Sequence, residues 1–229
     1  MTFSIVARDR STGMLGMAVS TKLLAVGAVC PWVRAGVGAV ATQAWVNPFL
    51  GPITLGFLEE GLDAAEAMEE ALAGDACAAY RQLTVVDAEG RSAAYTGAKT
   101  DPWCGHAHGE AYAVAGNLLV SGETVAAMEG AFLASDPDHD LADRLIAALE
   151  AGQAAGGDRR GRQSAAVIVM HRTVVPFVDL RVDDHSDPVA ELRRLYTLLA
   201  TEDGGETLRF CREIAADESA AEDPADYPD

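Results

Sequence analysis

The sequence has no uninterrupted apolar stretch of the ~20 residues that a membrane-spanning helix needs. Residues 14–31 come nearest, and Ser20, Thr21 and Lys22 break them. It also lacks the basic start and apolar core of a secretory signal, because it opens Met-Thr-Phe-Ser and meets Arg8 and Asp9 at once. A cytoplasmic location is expected. Positive charge is scarce: 17 Lys and Arg stand against 35 Asp and Glu, a net charge of −18. That field repels phosphate backbones and anionic lipid, which sets aside nucleic acid and membrane as partners. Four cysteines, Cys30, Cys77, Cys104 and Cys211, form no CxxC pair and read as ordinary thiols rather than a disulfide frame. There is no internal repeat, no GxGxxG after a strand, no phosphate loop and no GxSxG elbow, and no cofactor is expected.

Half the residues are apolar and the chain is 229 residues long, enough for one large domain, expected over residues 1–203. Residues 204–229 read as an acidic tail with too little apolar content to pack.

Strand and helix signals alternate in groups. Residues 2–9 and 14–20 read as a hairpin around Arg10-Ser11-Thr12-Gly13, and residues 28–34 and 37–43 as a second strand pair. Pro48 and Pro52 open a short helix over 52–60. Asp63 with Glu66 makes a capping box for a helix over 64–73. Strands follow at 80–87 and 91–97, then a loop over 98–109 rich in Gly, Pro and His, then a strand at 111–116. Helices are predicted over 122–134 and 139–151, a glycine-rich loop over 152–162, strands at 164–170 and 177–183, and a last helix to about residue 200 capped by Asp187 with Pro188. Hairpins imply antiparallel sheets, and helix pairs between strand sets imply helices on the outer faces. The fold class is α+β.

Several residues could carry chemistry. Thr2 follows the initiator Met; with Met1 removed, it joins a free amine of pKa near ~8 to a hydroxyl on one residue, a general base beside a nucleophile. Lys22 closes the first hairpin at the Thr2 end and could support a charged intermediate. Asn47 and Asn117 stand just beyond apolar strands, and Gly116-Asn117 could supply oxyanion donors; Gly-Asn also suits a plain turn. In Gly156-Gly157-Asp158-Arg159-Arg160-Gly161-Arg162-Gln163-Ser164, three arginines gather between glycines. Arg160 and Gln163 there suit a carboxylate, although Asp158 could instead lock the arginines. Cys104, His106 and His108 alternate as neighbours on one strand face would, near Asp101. They lack an evident fourth ligand, so no metal is expected.

The stretches TFSIVARD (from residue 2), STKLLAVGA (20–28), GVGAVATQAWVNP (36–48), RQLTVVDAEGR (81–91), GNLL (116–119) and AGQAAGGDRRGRQSAA (151–166) resemble, in order, the domain of unknown function 1028 family. That family is grouped with the N-terminal-nucleophile (Ntn) hydrolase-like proteins. The resemblance implies a four-layer αββα sandwich of two mainly antiparallel sheets. Characterised members of the wider superfamily, such as proteasome β subunits and γ-glutamyltranspeptidases, cleave amide bonds with an N-terminal Thr, Ser or Cys. By that likeness Thr2 maps to the nucleophile, Lys22 to the supporting cation, and Asn117, Asp158 and Ser164 to further catalytic positions, with Asn47, His106, Arg160 and Gln163 on the substrate side.

The expected function is an amidohydrolase acting on a small amide or peptide. The alternative is a non-catalytic sandwich used for small-molecule binding or assembly, as proteasome α subunits are. A homodimer or larger homo-oligomer is expected from Trp32, Trp45, Phe49, Leu50, Phe57 and Leu58, more large apolar side chains than one short helical region normally hides.

Overall fold

The computed structural model describes residues 2–201. Ten strands and five helices are present among them. The strands are β1 (Thr2–Arg8), β2 (Leu15–Thr21), β3 (Pro31–Arg34), β4 (Gly38–Ala44), β5 (Arg81–Asp87), β6 (Ser92–Thr96), β7 (Gly105–Gly109), β8 (Tyr112–Asn117), β9 (Ser164–Met170) and β10 (Pro176–Val182). The helices are α1 (Leu50–Glu59), α2 (Ala64–Ala73), α3 (Glu123–Ala134), α4 (Leu141–Ala154) and α5 (Pro188–Ala200). The expected tail and Cys211 lie outside the described residues. No helix among those described is long and apolar enough to cross a membrane.

Six strands form one sheet in the order β10-β9-β2-β1-β8-β7, and four form a second in the order β3-β4-β5-β6; the paired strands run antiparallel. β1 explains the layering. Phe3, Ile5 and Ala7 point to one face and join Leu145, Ile146 and Leu149 of α4 in a core roofed by α3, α4 and α5. Val6, on the opposite face, meets Leu15, Met17, Ala39, Ala41 and Val86 between the two sheets. With both faces covered, β1 and β2 read as nearly continuous buried runs instead of alternating ones. On the outside of the second sheet, Leu50, Leu55 and Leu58 of α1 and Ala67 and Ala71 of α2 pack on Val40, Leu83 and Val85. The result is the α+β, four-layer αββα sandwich.

The predicted hairpins and helices form, with boundary shifts of a few residues. The Asp63–Glu66 capping box is present, with Asp63 accepting from Ala65 and Glu66 backbone N–H groups. Two local expectations fail. Residues 105–109, assigned to a loop, form the edge strand β7; its alternating His106 and His108 are half of a strand pattern whose other half is small, Gly105, Ala107 and Gly109. Asp187 makes no cap bond, although Pro188 does open α5. Its carboxylate is drawn instead to the Arg162 guanidinium at 2.8 Å, a stronger charge-assisted partner than a backbone N–H.

The apolar patch expected around α1 is also redistributed. Leu50 and Leu58 are core, and Trp32 and Phe57 lie half-buried against it, so only Trp45 and Phe49 of the six protrude.

Candidate functional site

Register puts four polar residues in one row at one end of the larger sheet. Thr2 of β1 pairs with Thr21 of β2 on one side and with Asn117 of β8 on the other, and Thr21 pairs in turn with Ser164 of β9. Directly opposed residues of antiparallel strands share a face and bring their Cα atoms within ~4.5–5.5 Å of each other. All four are buried, Thr2 at 4% exposure and Asn117 at 1%. The Thr2 and Thr21 hydroxyls lie 3.2 Å apart.

Behind the row, a chain of side-chain hydrogen bonds crosses between the sheets. Ser4 Oγ donates to Gln43 Oε1 at 2.7 Å, and Gln43 Nε2 donates to Gln82 Oε1 at 2.7 Å. Asn117 Nδ2 donates to the same Gln82 oxygen at 3.0 Å. Gln82 Nε2 faces the Gly116 and Gly105 carbonyls and Thr96 Oγ1, and Thr96 Oγ1 lies 2.8 Å from His106 Nδ1. Sequence reasoning passed over Gln43 and Gln82. The available signal was a long polar amide within each of two mainly apolar strand segments, VATQA and RQLTVV. A buried amide must find partners, and a strand cannot supply them from within itself.

The 155–163 loop abuts this end. Leu118 accepts from the Arg159 N–H, and the Val120 N–H donates to Gly157. Gly156, Gly157 and Gly161 take the positive φ values, 120°, 58° and 114°, that this path requires. Asp158 turns its buried carboxylate into the loop junction, accepting from the Lys22 N–H at 2.9 Å and the Arg160 N–H at 2.8 Å, with the Arg160 guanidinium at 3.3 Å. Ser164 Oγ donates to Leu23 O at 2.6 Å and accepts from Val26 N–H at 3.1 Å, so it pins the segment after β2.

Other residues singled out in the sequence sit farther out. Lys22 is exposed and its ammonium donates to Arg162 O at 3.2 Å. Gln163 reaches Asp184 at 3.1 Å, while its backbone N–H donates to Thr21 O. Asn47 donates to Asp75 at 3.0 Å and organises the loop into α1. The Arg81 guanidinium beside Asp75 holds that carboxyl at about 2. His106 is exposed on β7; partial desolvation, then the neighbouring His108, lower its pKa. Cys104 Sγ donates to Thr100 O, and no group of three or more candidate ligands that could hold a metal occurs among the described residues.

Two further features mark this end. Ala25, Ala44 and Leu118, none of them glycine, hold φ of 53°, 73° and 52°. Ala44 directly follows Gln43, and Leu118 directly follows Asn117. Left-handed backbone at such residues costs on the order of 1–2 kcal/mol each and persists only where surrounding contacts impose it. Exposed large apolar side chains also gather here. Of the twelve among the described residues, eight (Leu23, Leu24, Val29, Trp45, Val46, Phe49, Trp103 and Val120) lie on the loops that follow β2, β4 and β8 or precede β7.

A solved structure shares this architecture, and a family model matches the sequence. A family model described as a family of unknown function, DUF1028, matches residues 2–192. The chain belongs to that family. The crystal structure of a family protein from Silicibacter pomeroyi is similar at 35% identity and a TM-score of 0.84, covering 92% of this chain and 90% of that one. The ancestral β-subunit Anbu from Yersinia bercovieri aligns at 11% identity and a TM-score of 0.40, over 87% of this chain and 97% of that one. No curated protein matches. The DUF1028 match spans Thr2, the interior amides, Asn117 and the 155–163 loop together.

Proposed function

We propose that this DUF1028 protein is an N-terminal-nucleophile amidohydrolase acting on a small amide or peptide once Met1 has been removed. The observation that carries the reading is the register: Thr2, the first residue after Met1, stands directly beside Asn117, with its hydroxyl 3.2 Å from that of Thr21. In the proposed reaction, Thr2 Oγ1 attacks the carbonyl carbon while the Thr2 amine takes the hydroxyl proton. An N–H of Asn117 donates to the carbonyl oxygen and stabilises the negative charge that develops there. The C–N bond then breaks, the amine proton passes to the leaving nitrogen, and water hydrolyses the Thr2 ester. In this reading Asp158 and Ser164 hold the bordering loops, and Lys22 and Arg160 draw an acidic group of the substrate to the rim. The apolar loop residues favour a substrate that is otherwise greasy.

Met1-free protein should hydrolyse at least one member of a panel of aliphatic and aromatic amides, with and without a terminal carboxylate, and Thr2→Ala should hydrolyse none. Full activity in Thr2→Ala would remove the reading.

A second reading is a binding or assembly sandwich without chemistry, cytoplasmic and homo-oligomeric. What favours it is the 4% exposure of Thr2 together with the protruding Trp45 and Phe49. Intact mass separates the two: a chain purified from its native host with Met1 retained has no free Thr2 amine. Sedimentation at micromolar concentration tests the oligomer.

A further inference from the structure

The orientation of the Asn117 amide follows from groups that cannot reverse. Backbone carbonyls only accept hydrogen bonds. The Gly116 and Gly105 carbonyls lie 2.9 Å and 3.1 Å from one end of the Gln82 side chain, so that end must be the nitrogen. The Gln82 oxygen is thereby turned the other way, toward Gln43 and Asn117. Both must then present N–H groups to it, at 2.7 Å and 3.0 Å. Gln43, with its nitrogen committed, leaves its oxygen for the Ser4 hydroxyl. Thus two carbonyls on neighbouring strands of the larger sheet set the polarity of a network that spans both sheets. Gln82 is fully buried and Gln43 is 2% exposed, which leaves water little part in this choice.

We infer that Gln82 is the positioning residue for Asn117: it holds the Asn117 nitrogen, rather than its oxygen, toward the interior, and fixes the plane in which the second N–H of that nitrogen is offered. An amide with its oxygen turned to the developing charge would repel it, and a freely rotating one would offer both. Asn117 makes no second side-chain hydrogen bond among the described residues. The inference deepens the amidohydrolase reading and rests on it for the use of the second N–H; the orientation itself does not.

The test has two arms. The first needs no activity. The chain contains two asparagines, Asn47 and Asn117, so selective 15N labelling of asparagine gives two side-chain amide pairs, and Asn117→Ala assigns them. Gln82→Met keeps the length of the side chain and removes its acceptor. It is expected to move the Asn117 pair and leave the Asn47 pair in place. An Asn117 pair unmoved in a folded Gln82→Met protein would overturn the inference.

The second arm measures acylation of Met1-free protein by a β-lactone, followed by intact mass. The Thr2 hydroxyl adds to the lactone carbonyl, the ring C–O bond breaks, and the freed ring oxygen takes the proton, so the whole mass of the lactone is gained. Asn117→Ala should lower the maximal rate ~100-fold at an unchanged half-saturating concentration, and Gln82→Met by ~10-fold. The double variant should be no slower than Asn117→Ala alone, because Gln82 acts through Asn117. Additive losses would overturn the inference. Gln82→Glu, whose buried carboxyl stays neutral, retains an acceptor and one donor and should stay within about threefold of the parent. Should Gln82→Met fail to fold, a Gln82→Glu loss as large as that of Asn117→Ala overturns it. If the parent protein is not acylated, the nucleophile reading fails while the amide spectra still decide the orientation.

Discussion

The carboxylates at one end of the sandwich find most of their partners close by in sequence, and the polar side chains at the other find theirs far away. At the turn between β1 and β2, Asp9 Oδ1 accepts from the backbone and hydroxyl groups of Ser11 and Thr12, at 2.7–2.9 Å and within three residues. At the β5–β6 turn, Asp87 accepts from Glu89 and Arg91 in the same short-range manner. At the Thr2 end the partners are distant in sequence: Ser4 with Gln43, Gln82 with Asn117, Lys22 with Asp158, Leu23 with Ser164. A locally satisfied turn forms with its hairpin. A row satisfied across the chain exists only when the whole fold does, which is how residues of unlike neighbourhoods come to share one site.

That contrast can be broken by substitution. Asp158→Ala should have the largest effect, about 3 kcal/mol, because it removes the charged acceptor of two backbone N–H groups, those of Lys22 and Arg160. Hydrogen exchange should then quicken both near residue 22 and near residue 160. Asp9→Ala should instead quicken exchange around residues 9–14, with its Arg144 contact the exception to a local response. Ser164→Ala should cost about 1–2 kcal/mol and free residues 23–26, without altering the hairpin end. Equal protection changes at both ends would erase the distinction.

Backbone strain sharpens it. Ala111, at the hairpin end, holds φ of 69°, close to the 73° of Ala44. Ala44→Gly and Ala111→Gly should each stabilise the protein by roughly 0.5–1 kcal/mol by thermal melting. Only Ala44→Gly, beside Gln43, should also slow acylation of Thr2.

The last effect concerns acid. Arg81 first, and then Asn47 and the Cys77 N–H, hold Asp75 at about 2, against 3.8 for an unperturbed carboxyl, despite the opposing effect of desolvation. A depressed folded pKa means that the stabilisation is complete above 3.8 and is lost as pH falls toward 2. At Asp9 burial alone would raise the pKa, but the Thr12 and Ser11 hydrogen bonds outweigh it and the pKa is lowered. Asp75→Asn should flatten the melting temperature of the protein between pH 4 and pH 2, as followed by circular dichroism.

The same contrast explains what could be read from sequence. The Asp63–Glu66 cap, the turn at residues 10–13 and the buried run of β9 are local or periodic, and each was legible. Antiparallel sheets with helices on their outer faces followed from grouping strands and helices, and the four-layer order from the family resemblance. Thr2, Asn117, Asp158 and Ser164 could be singled out, but not the register that aligns Ser164, Thr21, Thr2 and Asn117, because register depends on pairing between residues up to 143 positions apart, Thr21 with Ser164. Gln43 and Gln82 were passed over for the same reason: each looks like an interruption of its strand until the other sheet is in place. β7 was missed because Gly105, Ala107 and Gly109 carry too little apolar surface to show a period.

The central claim is that Thr2 is a nucleophile. It is tested most directly by treating Met1-free protein with a β-lactone and mapping the adduct by peptide mass spectrometry. The account predicts one acyl group, as an ester on the Thr2 hydroxyl, and none in Thr2→Ala or in protein that retains Met1. An unmodified Thr2, or equal labelling of Thr2→Ala, would contradict it.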